Sequence, residues 1–229
     1  MKLFLFDIDG TLLISRGIGR EAKRRAMLEC FGEVGDLDNH VFGGKTDWQI
    51  LADLLAPFGK TSADIGREIA GYERVMARHM REIKNDYRAD ALPHAMALVK
   101  QLRDRADTMV GLVTGNTSMT ARIKLEMAGF KRDCFAVGAF GNEAAERDKL
   151  TRLALERAEA QSARSFDGGD VFVIGDTVAD IDAARAIDAV AVAVCTGYTA
   201  REQLRDREPD FLLDDLSSFP PFGHGVECG

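Results

Sequence analysis

At 229 residues, 46% of them hydrophobic and 29% charged, the chain has room for one large domain or for a domain carrying a smaller insert. No apolar run approaches the ~20 residues a membrane helix needs, and 30 basic against 37 acidic residues, net −7, repel polyanions, so neither membrane nor nucleic acid is an expected partner. Cys30, Cys134, Cys195 and Cys228 are scattered and form no CxxC pair, which signals neither zinc nor a disulfide framework; with no export signal at the N-terminus, a cytoplasmic protein is expected.

In chain order, residues 2–8 are a short apolar run ending in acid, glycine and threonine, the mark of a buried strand that delivers polar groups at its C-terminal end. Three helical patterns follow without a strand between them, over 20–31, 47–58 and 63–84. The last carries Ile65, Ile69, Tyr72, Met76, His79 and Ile83 along one face, where His79 reads as packed or half-exposed. The basic stretch from Arg20 to Arg25 reads as a solvated helix face. After Pro93, strands are predicted at 109–113, 135–138, 171–174, 190–194 and 211–213. Helices are predicted at 95–105, 119–128, 149–161, 181–187 and 200–206. Such alternation predicts parallel βαβ units, hence an α/β fold with a doubly wound, Rossmann-like parallel sheet. Residues 1–14 and 90–229 would form this core and 15–89 a helical cap, joined by linkers near Ile14 and Tyr87. The tail from Ser217, with Pro220 and Pro221, reads as a surface extension.

Three strand ends carry candidate chemistry. In Asp7-Ile8-Asp9-Gly10-Thr11, residues i and i+2 of an extended chain share a face, and Gly10 permits a sharp exit that brings backbone N–H groups to an anion. One carboxylate can attack phosphorus while the second gives a proton to the leaving oxygen and later takes one from water. In Thr114-Gly115-Asn116 a hydroxyl and two N–H groups can hold phosphate oxygens; helix capping by 116–118 is the competing reading. In Gly175-Asp176-Thr177-Val178-Ala179-Asp180 the two acids resemble a hard-cation site with one direct and one supporting carboxylate, although Asp180 is also a good residue for a helix N-terminus.

These motifs, in this order and across nearly the whole chain, resemble the haloacid dehalogenase superfamily of phosphohydrolases. The resemblance implies Asp7 as nucleophile and magnesium ligand, and Asp9 as general acid/base that binds metal through its backbone oxygen. It also implies Thr114 holding phosphate, Asp176 ligating magnesium and Asp180 supporting it. The family places a Lys or Arg between the second and last motifs. Here the usual Lys-Pro-x-Pro is replaced by Glu146-Arg147-Asp148-Lys149, and Arg147 is preferred over Lys149 because Lys149 would fall within the predicted helix.

A magnesium-dependent phosphatase acting on a small phosphorylated metabolite is therefore expected. Dehalogenation is disfavoured because halide displacement needs no general acid. A phosphoglucomutase-like phosphotransferase stays open, as does a non-catalytic metal- or phosphate-binding regulatory module. Within the insert, Gly43-Gly44-Lys45-Thr46-Asp47 is similar to the glycine-x-Thr-Asp loop of phosphoglycolate-phosphatase-like caps. It is expected to select the substrate, with Lys45 pairing a substrate carboxylate and Thr46 or Asp47 capping the helix that follows; the competing reading leaves Lys45 solvated and Asp47 a simple N-cap.

Overall fold

The computed structural model describes residues 1–219. Pro220 and Pro221 of the expected tail, and Cys228, lie outside the described residues, and the start of that tail is a 3-10 turn at Leu216–Ser218. The elements run β1 (Lys2–Phe6), β2 (Leu13–Ile14), α1 (Ile18–Phe31), α2 (Asp47–Leu55), α3 (Ser62–Ile83), β3 (Asp90–Ala91), α4 (Ala95–Arg103), β4 (Thr108–Thr114), α5 (Ser118–Met127), β5 (Val137–Phe140), α6 (Arg147–Ser162), β6 (Val171–Gly175), α7 (Val178–Arg185), β7 (Val190–Val194), α8 (Arg201–Arg205) and β8 (Phe211–Leu213). The strand expected at 135–138 runs instead over Val137–Phe140, a 3-10 turn at Arg132–Cys134 occupying the chain just ahead of it.

Six strands form one parallel sheet in the order β5-β4-β1-β6-β7-β8. Period-two alternation sends Phe4, Phe6, Phe172 and Ile174 into a core with α4 and α5, and Leu3, Leu5, Val171 and Val173 into a second core with α6 and α7. A sheet covered on both faces needs such continuous apolar runs. From Leu3 to Phe6 the side chains of β1 are fully buried, each contributing roughly 1.5–3 kcal/mol relative to exposure. The order reverses at β1, which pairs with β4 on one side and β6 on the other. The C-terminal ends of these three strands therefore lie side by side, at the switch-point crevice where ligands bind in open α/β sheets.

Between β1 and β4 the chain leaves the sheet. α1, α2 and α3 bury Ala22, Met27, Leu51, Ile65, Tyr72, Met76 and Met80 in a third core, which also takes Ile123 from α5. The two connecting segments pair as an antiparallel ribbon, with Leu13 opposite Ala91 and Ile14 opposite Asp90; Arg16 and Asp90 add a 2.7 Å ion pair beside it. Two strands of two residues carry no periodicity and left no trace in the pattern.

Helix ends hold this unit against the sheet. First-turn N–H groups of a helix lack intrahelical acceptors. Those of Asp47 and Trp48 in α2 donate to the carbonyls of Gly115 (2.7 Å) and Gly141 (3.0 Å). At the start of α5 the exchange is reversed: the Thr117 N–H donates to Asp47 Oδ2 (2.9 Å), Met119 N–H to Glu73 Oε1 (2.8 Å) and Ser118 N–H to Asn142 Oδ1 (3.0 Å). Lys23 is ion-paired with Asp47, both buried. The 20–25 stretch is thus not wholly a solvated face; Lys23 turns inward because Asp47 gives its ammonium a partner. Among the described residues no helix is long and apolar enough to cross a membrane.

Removing one member of a buried ion pair strands the other charge at a cost of about 3–5 kcal/mol, whereas replacing both by apolar groups is far cheaper. Asp47→Ala is expected to lower unfolding stability by about that amount in urea titration, and adding Lys23→Met to recover a measurable part of the loss. No recovery in the double variant would show that the buried charge is not the source.

Candidate active site

The crevice at the switch point gathers the strand-end motifs. β1 ends at Phe6, paired with Leu112 and Ile174, so Asp7 stands beside the ends of β4 and β6 and donates its N–H to the Ile174 carbonyl (2.9 Å). Gly10 follows with φ 87°, where a side chain would be strained, and a Cβ there would lie 2.5 Å from the Asp176 carboxylate. The turn is pinned by Thr196, whose hydroxyl donates to the Gly10 carbonyl (2.6 Å).

Asp7, Asp176 and Asp180 are buried and offer carboxylate oxygens within 4.8 Å of one another. Arg147 joins them. Its Nη2 lies 2.9 Å from Asp7 Oδ1 and 2.5 Å from Asp180 Oδ1, and donates to the Val113 carbonyl at 3.2 Å, while Nε has no hydrogen-bond partner among the described residues. Asp180 serves a helix terminus and faces the acidic cluster at once. Oδ2 accepts from the Thr177 N–H (3.0 Å) and hydroxyl (2.6 Å), closing a capping box on α7, while Oδ1 faces Arg147. Asp176 accepts a long hydrogen bond from the Thr11 hydroxyl at 3.4 Å.

Three desolvated carboxylates beside one guanidinium do not all ionise easily. Burial, reinforced by Asp180 and Asp9 and opposed by Arg147, pushes Asp7 up to about 6. Burial, with Asp7 and Asp180 adding to it, pushes Asp176 up to about 8. The Arg147 guanidinium is held more firmly protonated, since its two carboxylate partners outweigh its burial. An oxygen-only donor set with excess negative charge fits a hard divalent cation, and Asp7 with Asp176 would hold it, Asp180 standing behind.

Arg147 and Lys149 are separated by the structure for a reason other than the one expected. α6 begins at Arg147, not at 149, so both are in its first turn. Arg147 turns under the sheet end, whereas Lys149 is solvent-exposed and pairs with Glu146 at 2.9 Å.

Asp9 is not turned toward the three acids. Oδ1 accepts from the Ser15 hydroxyl (2.7 Å), and Oδ2 from Asn116 Nδ2 (2.8 Å) and Lys124 Nζ (2.6 Å). Burial would raise its pKa, but the Lys124 charge and the hydrogen bonds from Lys124, Asn116 and Ser15 outweigh that and lower it. Thr114 is fully buried; its oxygen accepts from the Asn116 side chain (2.8 Å) and N–H (3.3 Å), which leaves its own O–H to donate. The N-cap of α5 is Thr117, without a side-chain capping bond; its first turn is served by Asp47 and Glu73 instead.

The 43–47 segment docks through its main chain. A Cβ on Gly115 would lie 2.1 Å from the Lys45 carbonyl oxygen and one on Gly44 2.5 Å from Ala179, so only glycine lets these chains approach. Thr46, not Asp47, caps α2, accepting from the Gln49 N–H (3.0 Å) and donating to the Ala145 carbonyl (2.8 Å). The Lys45 ammonium is turned onto Asp53 at 2.7 Å, so it is neither simply solvated nor directed at the motif residues.

Lys124, Lys23 and Glu73 were missed from the sequence. The one available signal was a charge on the buried face of an otherwise apolar helix; their partners are distant in sequence, as with Ser118 and Glu73, 45 residues apart.

Known proteins resemble the chain along almost its full length. It is 26% identical over 225 residues to a phosphoglycolate phosphatase of Vibrio cholerae, covering 95% of each. It is 24% identical to the pyrophosphatase PpaX of Anoxybacillus flavithermus, over 95% of this chain and 94% of that one. A crystal structure of a hydrolase from Pseudomonas syringae superposes with a TM-score of 0.69 at 20% identity, over 96% and 97% of the chains. A family model described as haloacid dehalogenase-like hydrolase matches residues 1–188, the stretch that carries every strand-end acid described above, and the chain belongs to that family.

Proposed function

We propose that this enzyme is a magnesium-dependent phosphatase that hydrolyses a small phosphomonoester through a phosphorylated Asp7. The observation that carries the reading is the meeting of Asp7, Asp176, Asp180 and Arg147 in one buried space beside Thr114. When bound, magnesium supplies positive charge that lets two anions, carboxylate and phosphate, approach. Asp7, the Asp9 backbone oxygen and Asp176 are its proposed ligands.

In this reading the Asp7 carboxylate attacks phosphorus as the bond to the leaving oxygen breaks, and that oxygen takes a proton from Asp9. Water then attacks the same phosphorus, gives its proton to Asp9 and releases Asp7 as a carboxylate. Thr114 O–H and the Gly115 N–H orient the phosphoryl oxygens, whereas the Thr11 and Leu12 N–H groups after Gly10 are taken by the Ile8 carbonyl and that of Asn116 by Thr114 Oγ1; the Arg147 guanidinium offsets charge on Asp7 and on the transferred group.

In this reading residues 1–14 and 90–229 belong to the core, 220–229 lying outside the described residues, and 15–89 form a cap over the strand ends. The separate core of α1–α3 and the paired linkers support that division. Segment 43–47 would discriminate among substrates, with Lys45 leaving Asp53 to meet an acidic group. A small phosphorylated acid is the substrate class favoured, since a relative along the whole chain is a phosphoglycolate phosphatase. A cytoplasmic location suits the unpaired Cys30, Cys134 and Cys195.

Turnover of p-nitrophenyl phosphate tests the chemistry. It is expected to need magnesium, to vanish with chelator and in Asp7→Asn, to fall about 10²–10³-fold in Arg147→Ala, and to stay near wild type in Lys149→Ala. Full activity in excess chelator, or a larger loss from Lys149→Ala than from Arg147→Ala, would contradict the assignment. Substrate choice is tested by Lys45→Ala, expected to lower kcat/KM for a phosphorylated carboxylic acid while p-nitrophenyl phosphate turnover is largely kept. Equal loss on both would remove Lys45 from recognition.

A further inference from the structure

Lys124, which lies outside every strand-end motif in the sequence, places a second cation against Asp9 and Asn116. It is only 5% exposed, and its ammonium donates to Asp9 Oδ2 at 2.6 Å and to Asn116 Oδ1 at 2.7 Å. A buried ammonium is costly unless paired, and a lysine that merely covered a helix would run its stem along the surface and keep its head in water. Here the head is inside, and both acceptors belong to the crevice.

Asp9 is held from three directions. Ser15 reaches Oδ1 from the linker ahead of α1, Asn116 reaches Oδ2 from the turn after β4, and Lys124 reaches the same oxygen from α5. Asn116 also donates to Thr114 Oγ1 at 2.8 Å, so Lys124, Asp9, Asn116 and Thr114 form one continuous hydrogen-bonded set. Of the three donors to Asp9, Lys124 alone is charged and alone sits on a regular helix, which Ala121 and Leu125 anchor in the sheet-side core. Groups carried on packed helices keep their geometry better than groups on loops. From above, a Cβ on Gly19 of α1 would stand 3.2 Å from Lys124 Nζ, so the helical unit leaves the ammonium little room to turn elsewhere.

We propose that Lys124 is a positioning residue that holds the Asp9 carboxyl group on the Thr114 side of the crevice, in reach of the leaving oxygen of a phosphomonoester. The proposal rests on the acid–base role assigned to Asp9 above. It gives Arg147 and Lys124 separate tasks: Arg147 attends the attacking carboxylate, and Lys124 the group that handles the proton. Lys124 acts only through Asp9 and Asn116.

The readout is the dependence of rate on the leaving group. p-Nitrophenolate departs with little need of a proton, whereas an alkoxide needs one, and kcat/KM covers the steps up to that departure. The ratio of kcat/KM for a simple alkyl phosphate to that for p-nitrophenyl phosphate is measured with magnesium in wild type, Asp9→Asn, Lys124→Met and Lys124→Arg. Positioned proton transfer contributes roughly 10²–10⁴-fold. Misplacing the donor in Lys124→Met is expected to lower the ratio by about tenfold or more, and Lys124→Arg, which keeps the charge and shifts its position, to lower it by less. Should Lys124→Met fail to fold, the Arg variant carries the test, since its ratio must also fall. A ratio that falls in Asp9→Asn but not in the folded Lys124 variants, with both substrates losing equally or neither losing, overturns the role of Lys124 alone. A ratio unchanged in Asp9→Asn overturns the acid role of Asp9 and this proposal with it.

Discussion

Three carboxylates, Asp7, Asp176 and Asp180, share one buried space with a single guanidinium, Arg147, and the rest of the molecule is arranged so that this balance of charge can exist. Desolvated acids repel one another, and without a cation each would rather be neutral. The pKa of Asp176 is raised even with Arg147 present. Arg147 can intervene because α6 starts just there, at the first helical residue, and because its Nη2 reaches Asp7 and Asp180 together. Asp180 can face it because its other oxygen is committed to capping α7. The charge balance is therefore a product of sheet topology: only at β1, where the strand order reverses, do three strand ends open side by side.

A second constraint acts on the helical unit between β1 and β4. Its helix ends and those of the sheet domain satisfy one another, with α2 giving N–H groups to the Gly115 and Gly141 carbonyls and receiving, through Asp47, the Thr117 N–H. Such bonds are costly to leave unmade in a buried contact, so they set where the 43–47 segment lies relative to Thr114 and Asn116. The packing of α3 on α5, with Ile123 in the shared core, and the network around Asp9 meet on the same helix. One helix, α5, thus carries both a contact of the helical unit and a donor to the Asp9 carboxylate.

Much of this was legible in the sequence for local reasons. Asp7, Asp9, Thr114, Asp176 and Asp180 each end or follow an apolar strand, and a strand that ends in acid and glycine announces its own site. The parallel sheet followed from the alternation after Pro93, and β7 and β8 have the expected bounds. Arg147 was half legible: a basic pair ahead of a helix was visible, but its choice over Lys149 depended on which side chain turns inward, a matter of packing rather than pattern. The direction of the Asp9 carboxylate, the buried Lys124 and Lys23 and the α5 bond to Glu73 were not legible. Each depends on a partner brought near by tertiary contact, and a lone charge on a helix looks the same in sequence whether water or a carboxylate receives it. The Lys45 pairing was equally hidden: a lysine after two glycines gives no sign that Asp53, about a turn and a half into α2, holds its ammonium at 2.7 Å.

The central claim is that Asp7 becomes covalently phosphorylated. An acyl phosphate is reduced by borohydride to an alcohol, which a free carboxylate resists, so enzyme turning over a phosphomonoester with magnesium can be quenched, reduced and mapped by peptide mass spectrometry. The account predicts homoserine at position 7, dependent on substrate and absent from Asp7→Asn. Modification at another acid, or none under conditions where phosphate is being released, would contradict it.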